Sequence, residues 1–123
     1  MESREQTIRD CLGSWVAKDA ALLGDCFAFD AIYVESWGPA YRNLEQIMAW
    51  FTDWNKENHV LKWNIKQFLH VGDTCVCEWY FEYNCGGNID GFNGVSLITF
   101  DDLGKIVLLK EFQSKTPNHY PYS

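Results

Sequence analysis

The sequence predicts an α+β fold, with helices first and one curved sheet of later strands wrapped on them. Three observations carry that expectation. Ile8, Cys11, Leu12, Trp15 and Val16 recur at helical spacing near the start of the chain. After His59 the apolar period changes to two, Leu61, Trp63 and Ile65 alternating with Lys62, Asn64 and Lys66. Beyond that point strand-like stretches are separated by short turns, which makes neighbouring strands antiparallel. At 123 residues the chain (1–123) reads as a single domain with one core.

The first helix runs from about Arg4 to Lys18, and Asp19 can cap a shorter one through Leu22, Leu23 and Cys26. Phe27 to Asp30 turns the chain, and Ala31 to Glu35 is rich enough in Ile, Tyr and Val to be a short strand. A Trp37-Gly38-Pro39 turn follows. Asn43 with Gln46 three residues on is a variant of the capping box, and the helix it starts extends to about Asn58. Leu44, Ile47, Met48, Phe51 and Trp54 form its apolar stripe, with Trp50 at the margin.

Val71 to Thr74 is a turn, and Cys75 to Tyr83 is a strand whose Cys75, Cys77, Trp79, Phe81 and Tyr83 share a face. Cys85 to Asn88 is a loop, Phe92 to Phe100 a strand, and Asp101 to Gly104 a hairpin turn returning through Lys105 to Gln113. In that last strand Ile106, Leu108, Lys110 and Phe112 alternate with Val107, Leu109, Glu111 and Gln113. Aromatic residues on both faces of the Cys75–Tyr83 strand point to cover on both sides, which a homodimer through the sheet supplies.

A net charge of -7 argues against nucleic acid and anionic membrane as partners, since phosphate binding needs clustered Lys and Arg. No apolar run approaches membrane-spanning length, and Met1-Glu2-Ser3-Arg4-Glu5 lacks the layout of a signal peptide, so a cytoplasmic protein is expected. Cys 5 is an odd count without a C-x-x-C pair, the pattern of free thiols in a reducing compartment. The three His are scattered without metal-ligand spacing, so neither a metal nor a cofactor is expected.

Glu35 is the residue with the clearest chemical promise. It ends an apolar strand with Trp37 two residues on, and a desolvated carboxyl among aromatic rings becomes a general acid or base near neutral pH. A solvent-facing Glu at a strand end is the plain alternative. Glu111 and Gln113 continue a face begun by Val107 and Leu109, so they are either polar groups in an apolar cup or a strand end reaching solvent. For Trp50 and Trp54, ligand contact and simple packing of helix on sheet are equally open.

The first-helix residues, Phe27-Ala28-Phe29-Asp30-Ala31 leading into Tyr33 through Gly38, Glu45-Gln46-Ile47, and Phe100 through Ile106 resemble the nuclear transport factor 2-like superfamily in its SnoaL-like branch. The resemblance covers nearly the whole chain. It implies a cone of curved antiparallel sheet closed by N-terminal helices, a cystatin-like α+β barrel, often dimeric through the sheet. It places Glu35 at the position of a carboxylate that shuttles a proton at carbon in steroid isomerases. The oxyanion partners of those enzymes map to Cys11 and Ser96 here, poor substitutes, so the steroid isomerase's own chemistry is not expected. Asn43 stands where relatives usually have Gly. The same resemblance puts Trp15, Cys77, Trp79, Ser96, Ile98, Leu109, Glu111 and Gln113 on the pocket side. Trp37, Trp50, Trp54 and Trp63 complete the expected walls around a small apolar or aromatic ligand. Three classes then remain open: a cofactor-independent isomerase, cyclase or dehydratase using Glu35 and Glu111; a non-catalytic binding or dimerisation module; and a protein-interaction adaptor.

Overall fold

The computed structural model describes residues 2–122 of the chain. The first apolar stripe becomes α1 (Glu2–Ala17), which buries Ile8, Cys11, Leu12 and Trp15. Val16, grouped with that stripe by spacing, lies outside it and is 37% exposed. Asp19 caps α2 (Ala20–Cys26) by accepting the Leu22 amide hydrogen at 3.1 Å. The turn expected at Phe27 to Asp30 is absent. The chain passes straight into β1 (Phe27–Val34), and an irregularity in its pairing between Phe27 and Ile32 absorbs the bend. Phe27, Ala31 and Tyr33 all stay buried because of it.

A short strand that periodicity does not reveal, β2 (Ala40–Arg42), then pairs back on β1. It leads into α3 (Leu44–Glu57), whose cap works as the sequence suggests, with one change. Asn43 accepts the Gln46 amide hydrogen at 3.0 Å, and the Gln46 side chain returns to the amide of Arg42, at 2.7 Å, instead of to Asn43. Asn43 has φ 90, the left-handed side of backbone space, which Asn tolerates better than most residues.

Four long strands follow: β3 (Asn58–Val71), β4 (Thr74–Cys85), β5 (Asn88–Phe100) and β6 (Ile106–Lys115). The sheet order is β2-β1-β6-β5-β4-β3. All neighbours are antiparallel except β1 and β6, which run parallel. The expected all-antiparallel sheet is therefore mixed. Short turns fix only the hairpin partners; β1 meets β6 across the whole intervening chain, the long crossover that a parallel pair requires. With β2 and β3 at the two edges, the sheet is a six-stranded open cone and not a closed barrel.

The inward residues of β4, including Cys75, Cys77 and Trp79, join those of α1 in one core cluster. Pairing of β5 with β6 slips between Thr99 and Phe100, so Ile106 turns inward with Leu109 instead of outward with Leu108 as strict alternation suggests. Among the described residues no helix is long and apolar enough to cross a membrane.

Gly94 is the tightest backbone approach in the cone. It pairs with Trp79 on β4 and Gln113 on β6. A Cβ there would lie 2.5 Å from the Phe112 carbonyl oxygen and 2.5 Å from the Trp79 ring. The backbone oxygen cannot swing away, so Gly94→Ala should cost about 1–3 kcal/mol, by the usual cost of overpacking a core. Urea denaturation monitored by Trp fluorescence measures it. An unchanged midpoint contradicts the tight fit.

Candidate active site

The site starts from the strand period. Tyr33 points inward from β1, and Glu35 follows two residues later on the same side. The hairpin turn after it is closed by the Glu35 amide donating to the Pro39 carbonyl at 2.8 Å and the Gly38 amide donating to the Glu35 carbonyl at 3.1 Å. Gly38 sits at φ 121, where a side chain would be strained. The turn returns the chain along β2 and sets Tyr41 directly opposite Tyr33.

Each tyrosine then holds one carboxyl. Tyr41 donates its hydroxyl hydrogen to Glu35 Oε2 at 2.6 Å, and the Trp37 indole N–H donates to Oε1 at 3.3 Å. The Tyr33 hydroxyl donates to Glu111 Oε2, reaching across the parallel pairing from β1 to β6. Trp50 of α3 fixes both phenol rings. It stacks on Tyr41 with centroids 4.4 Å apart and meets Tyr33 edge-on at 4.9 Å.

Environment separates the two acids. Burial pushes the Glu111 carboxyl up to about 8; the Tyr33 hydrogen bond opposes the rise and the nearby Glu35 adds to it. Burial also raises Glu35, while bonds from Tyr41 and Trp37 favour its charged form and pull the other way. Burial, with Glu111 beside it, lifts the Tyr33 hydroxyl well above its ordinary value, so it remains a donor. At neutral pH the proton therefore belongs to Glu111. The Tyr33–Glu111 pair then carries two hydrogens and uses one for its mutual bond, leaving the other for a ligand oxygen.

Both carboxyls line one cavity of about 380 Å³. Of the residues expected around a ligand, Trp15, Trp50, Trp54, Trp63 and Gln113 are on its wall. Trp37 lines it too, but as a rim residue, 71% exposed. Trp15 anchors the inner wall, with Trp50 at 4.7 Å and Trp54 at 5.5 Å. Among the described residues the buried indole N–H groups of Trp15 and Trp63 have no hydrogen-bond acceptor, a cost accepted by this dense ring packing.

Cys77, Trp79, Ser96, Ile98 and Leu109 do not line the cavity. They are 0–1% exposed and form the packed core beneath it. These residues do face inward, but a cone narrows, and large side chains fill its lower part. Trp63 and Phe92 pack edge-on over Trp79 at 5.3 and 5.9 Å, closing the floor. Ser96 is occupied as well, accepting the Trp79 indole hydrogen at 2.9 Å. Cys11 lies equally deep; its hydrogen bond with the Cys26 thiol and its burial push its own thiol well above the ordinary value.

Sequence reasoning missed the two tyrosines, as well as Asn58, Phe81, Tyr83, Asp90 and Phe92 on the wall. Tyr33 read as a β-former, and Tyr41 fell between the turn and the helix with no element assigned to it. Treating Ser36 to Pro39 as a hairpin turn would have placed Tyr41 across from Tyr33. Phe81 and Tyr83 were on the right face, two and four residues beyond the buried Trp79. Among the described residues no group of three or more His, Cys, Asp or Glu side chains is placed to hold a metal ion.

A family model for the SnoaL-like domain matches residues 8–109. The chain belongs to the SnoaL-like domain family. No curated protein is similar enough in sequence to match. Among solved structures, this SnoaL-like domain is similar to a hypothetical protein of ketosteroid isomerase-like fold from Catenulispora acidiphila, in complex with trimethylamine. Identity is 20% over 88% of this chain and 85% of that one, with a TM-score of 0.79. A candidate SnoaL-like polyketide cyclase from Shewanella denitrificans is 14% identical over 90% of each chain, TM-score 0.77. An epoxide hydrolase from M. tuberculosis is 13% identical over 92% of this chain and 84% of that one, TM-score 0.83. At these identities the likeness establishes the fold; the chemistry of the SnoaL-like domain has to be argued from its own side chains.

The raised carboxyl of Glu111 has a consequence for stability. The folded chain holds that proton more tightly than the unfolded chain, whose Glu titrates near 4.5. Stability is therefore greatest on the acid side of the window from 4.5 to about 8 and falls as pH rises through it. Glu111→Gln removes the dependence. Between pH 5.5 and 8.5 the parent should lose more in Tm than the variant, by on the order of 5 °C. Parallel Tm–pH curves contradict the assignment.

Proposed function

We propose that the chain is a cofactor-independent acid–base catalyst on a small, ring-sized molecule, of isomerase, cyclase or dehydratase type. The observation that carries this reading is the placing of two unequally held carboxyls in one cavity: Glu111 keeps its proton beside Tyr33, and Glu35, raised by burial, accepts from Tyr41 and Trp37, whose hydrogen bonds oppose that rise. Two carboxyls with unequal environments in one cavity are what acid–base catalysis requires.

Glu35 takes a proton from a carbon next to the substrate carbonyl. The electron pair moves onto the carbonyl oxygen, which receives the spare hydrogen bond of the Tyr33–Glu111 pair. Returning the proton to another carbon gives isomerisation; attack of the enolate carbon on a second carbonyl gives cyclisation; expulsion of a β-hydroxyl as water gives dehydration. Every route is redox-neutral. Cyclase and epoxide hydrolase neighbours on the same fold support small-molecule chemistry in such a cone.

A binding-only reading has one observation in its favour, that both Glu35 oxygens already accept hydrogen bonds from within the protein. The outward residues of β4 to β6, including Tyr80, Leu97, Leu108 and the 53% exposed Phe112, support a homodimer through the sheet. Free thiols at Cys11, Cys26, Cys75, Cys77 and Cys85 support a reducing compartment, the cytoplasm.

The test is proton exchange into a panel of small cyclic ketones and enones in D2O, followed by NMR. Glu35→Gln should slow exchange by about 10²–10⁴-fold, the usual loss on removing a general base. For the parent the rate should fall as pH rises through about 8, where Glu111 loses its proton, and Glu111→Gln should abolish that limb. Exchange that never exceeds buffer, with ligands still bound, favours the binding-only reading. Light scattering checks the dimer: a mass near 14.3 kDa contradicts it.

A further inference from the structure

The cavity has two unlike halves. On the β1, β2 and β6 side stand Tyr33, Glu35, Glu111 and Gln113, with Tyr41 behind Glu35. On the α3 and β3 to β5 side stand Trp54, Trp63, Phe81, Tyr83 and Phe92. These rings form one connected wall: Trp54 meets Phe81 at 6.4 Å and Tyr83 at 5.9 Å, and Phe81 meets Trp63 at 4.8 Å and Phe92 at 5.4 Å. Asp90 of β5 lies at the edge of this wall, paired in register with Tyr83; burial raises the Tyr83 hydroxyl and the nearby Asp90 adds to the rise.

The charge of the lining is one-sided. Of its 16 residues, 9 are aromatic and 3 are acids, Glu35, Asp90 and Glu111, while none is Lys, Arg or His. Among the described residues the cations that sit over ring faces are elsewhere: Arg4 over Phe100, Arg9 over Phe68 and Lys62 over Tyr80. The cavity rings therefore keep their electron-rich faces uncompensated by the protein's own positive charge.

We infer that the cavity takes an organic ammonium ion, its cationic head against the Trp54–Phe81–Tyr83 wall and the Asp90 carboxylate, its reacting end towards Glu35 and Glu111. An anion placed here meets the Asp90 and Glu35 side chains and no counter-charge among the lining residues. A neutral apolar body gains nothing from the carboxylate of Asp90, which is exposed at the cavity edge. A cation surrounded by alkyl groups gains from the ring faces and from the carboxylate together. The volume of about 380 Å³ lies near the lower end of ligand cavities, which limits the ligand to a small amine. This inference rests on the cavity being the ligand site of the proposed function, and it narrows the substrate class to amine-bearing carbonyl compounds.

The probes are choline and its neutral isostere 3,3-dimethylbutan-1-ol, titrated against the full chain while indole N–H signals are followed by NMR. Choline should bind roughly tenfold more tightly, in line with a desolvated cation–π contact. Asp90→Asn and Tyr83→Leu should each reduce that ratio severalfold while changing the affinity for the alcohol little. Equal affinities, or tighter binding of the alcohol, overturn the inference, as does a ratio unmoved by both variants. Glu35→Gln should keep the choline preference. Loss of proton exchange alone therefore removes the catalytic proposal, and loss of the preference alone removes this one.

Discussion

The hydrogen bond from Tyr33 to Glu111 is the interaction on which the site depends. A buried carboxyl needs a hydrogen-bond partner, and Tyr33 supplies the bond from a strand that becomes the neighbour of β6 only when the cone is assembled. Trp50 then ties this pair to the second one. Lying between Tyr33 and Tyr41, it fixes the two phenols that hold Glu111 and Glu35, so one indole from α3 sets the positions of both acids. The helix is placed in turn by the Asn43 cap and the Gln46 return bond. Local rules thus reach the chemistry through a short chain of contacts: a cap positions a helix, the helix a tryptophan, the tryptophan two phenols.

The two carboxyls differ although both are Glu. Glu111 lies deep on a strand interior and receives a single donor; Glu35 lies at a strand end near the rim and receives two. Burial and donor number act in opposite directions on a carboxyl, and their balance differs between floor and mouth. The residues that the steroid isomerase resemblance offered as oxyanion partners cannot serve, because Cys11 and Ser96 lie in the core under the cavity floor. A phenol and a neutral carboxyl do stand together in the cone, but on other strands, as Tyr33 and Glu111.

How much of this the sequence discloses follows from what each signal measures. Helical spacing located α1 and α3, and the shift to period two located the long hairpin strands, because burial on one face leaves a periodic trace. Glu35 was legible from its place at the end of an apolar strand before a Trp-Gly-Pro turn. Glu111 and Gln113 were legible from the face they share with Leu109. Depth within the cone was not. Alternation reports which side of a sheet a residue faces, not whether a ring fills the space above it, so Trp79 and Ile98 were expected at the wall and lie in the core. The parallel join of β1 to β6 was equally hidden, since no local signal records a partner so distant in the chain. Tyr41 escaped for a simpler reason: three residues of β2 are too few to carry a period.

The central claim is that burial keeps Glu111 protonated at neutral pH beside Tyr33. Carbon-13 NMR titration of the side-chain carboxyl carbons measures both acids in one experiment, with Glu35→Gln and Glu111→Gln fixing the assignments. The account predicts a midpoint near 8 for Glu111 and one raised above the ordinary 4.5 for Glu35. A Glu111 midpoint at the ordinary 4.5 would contradict it.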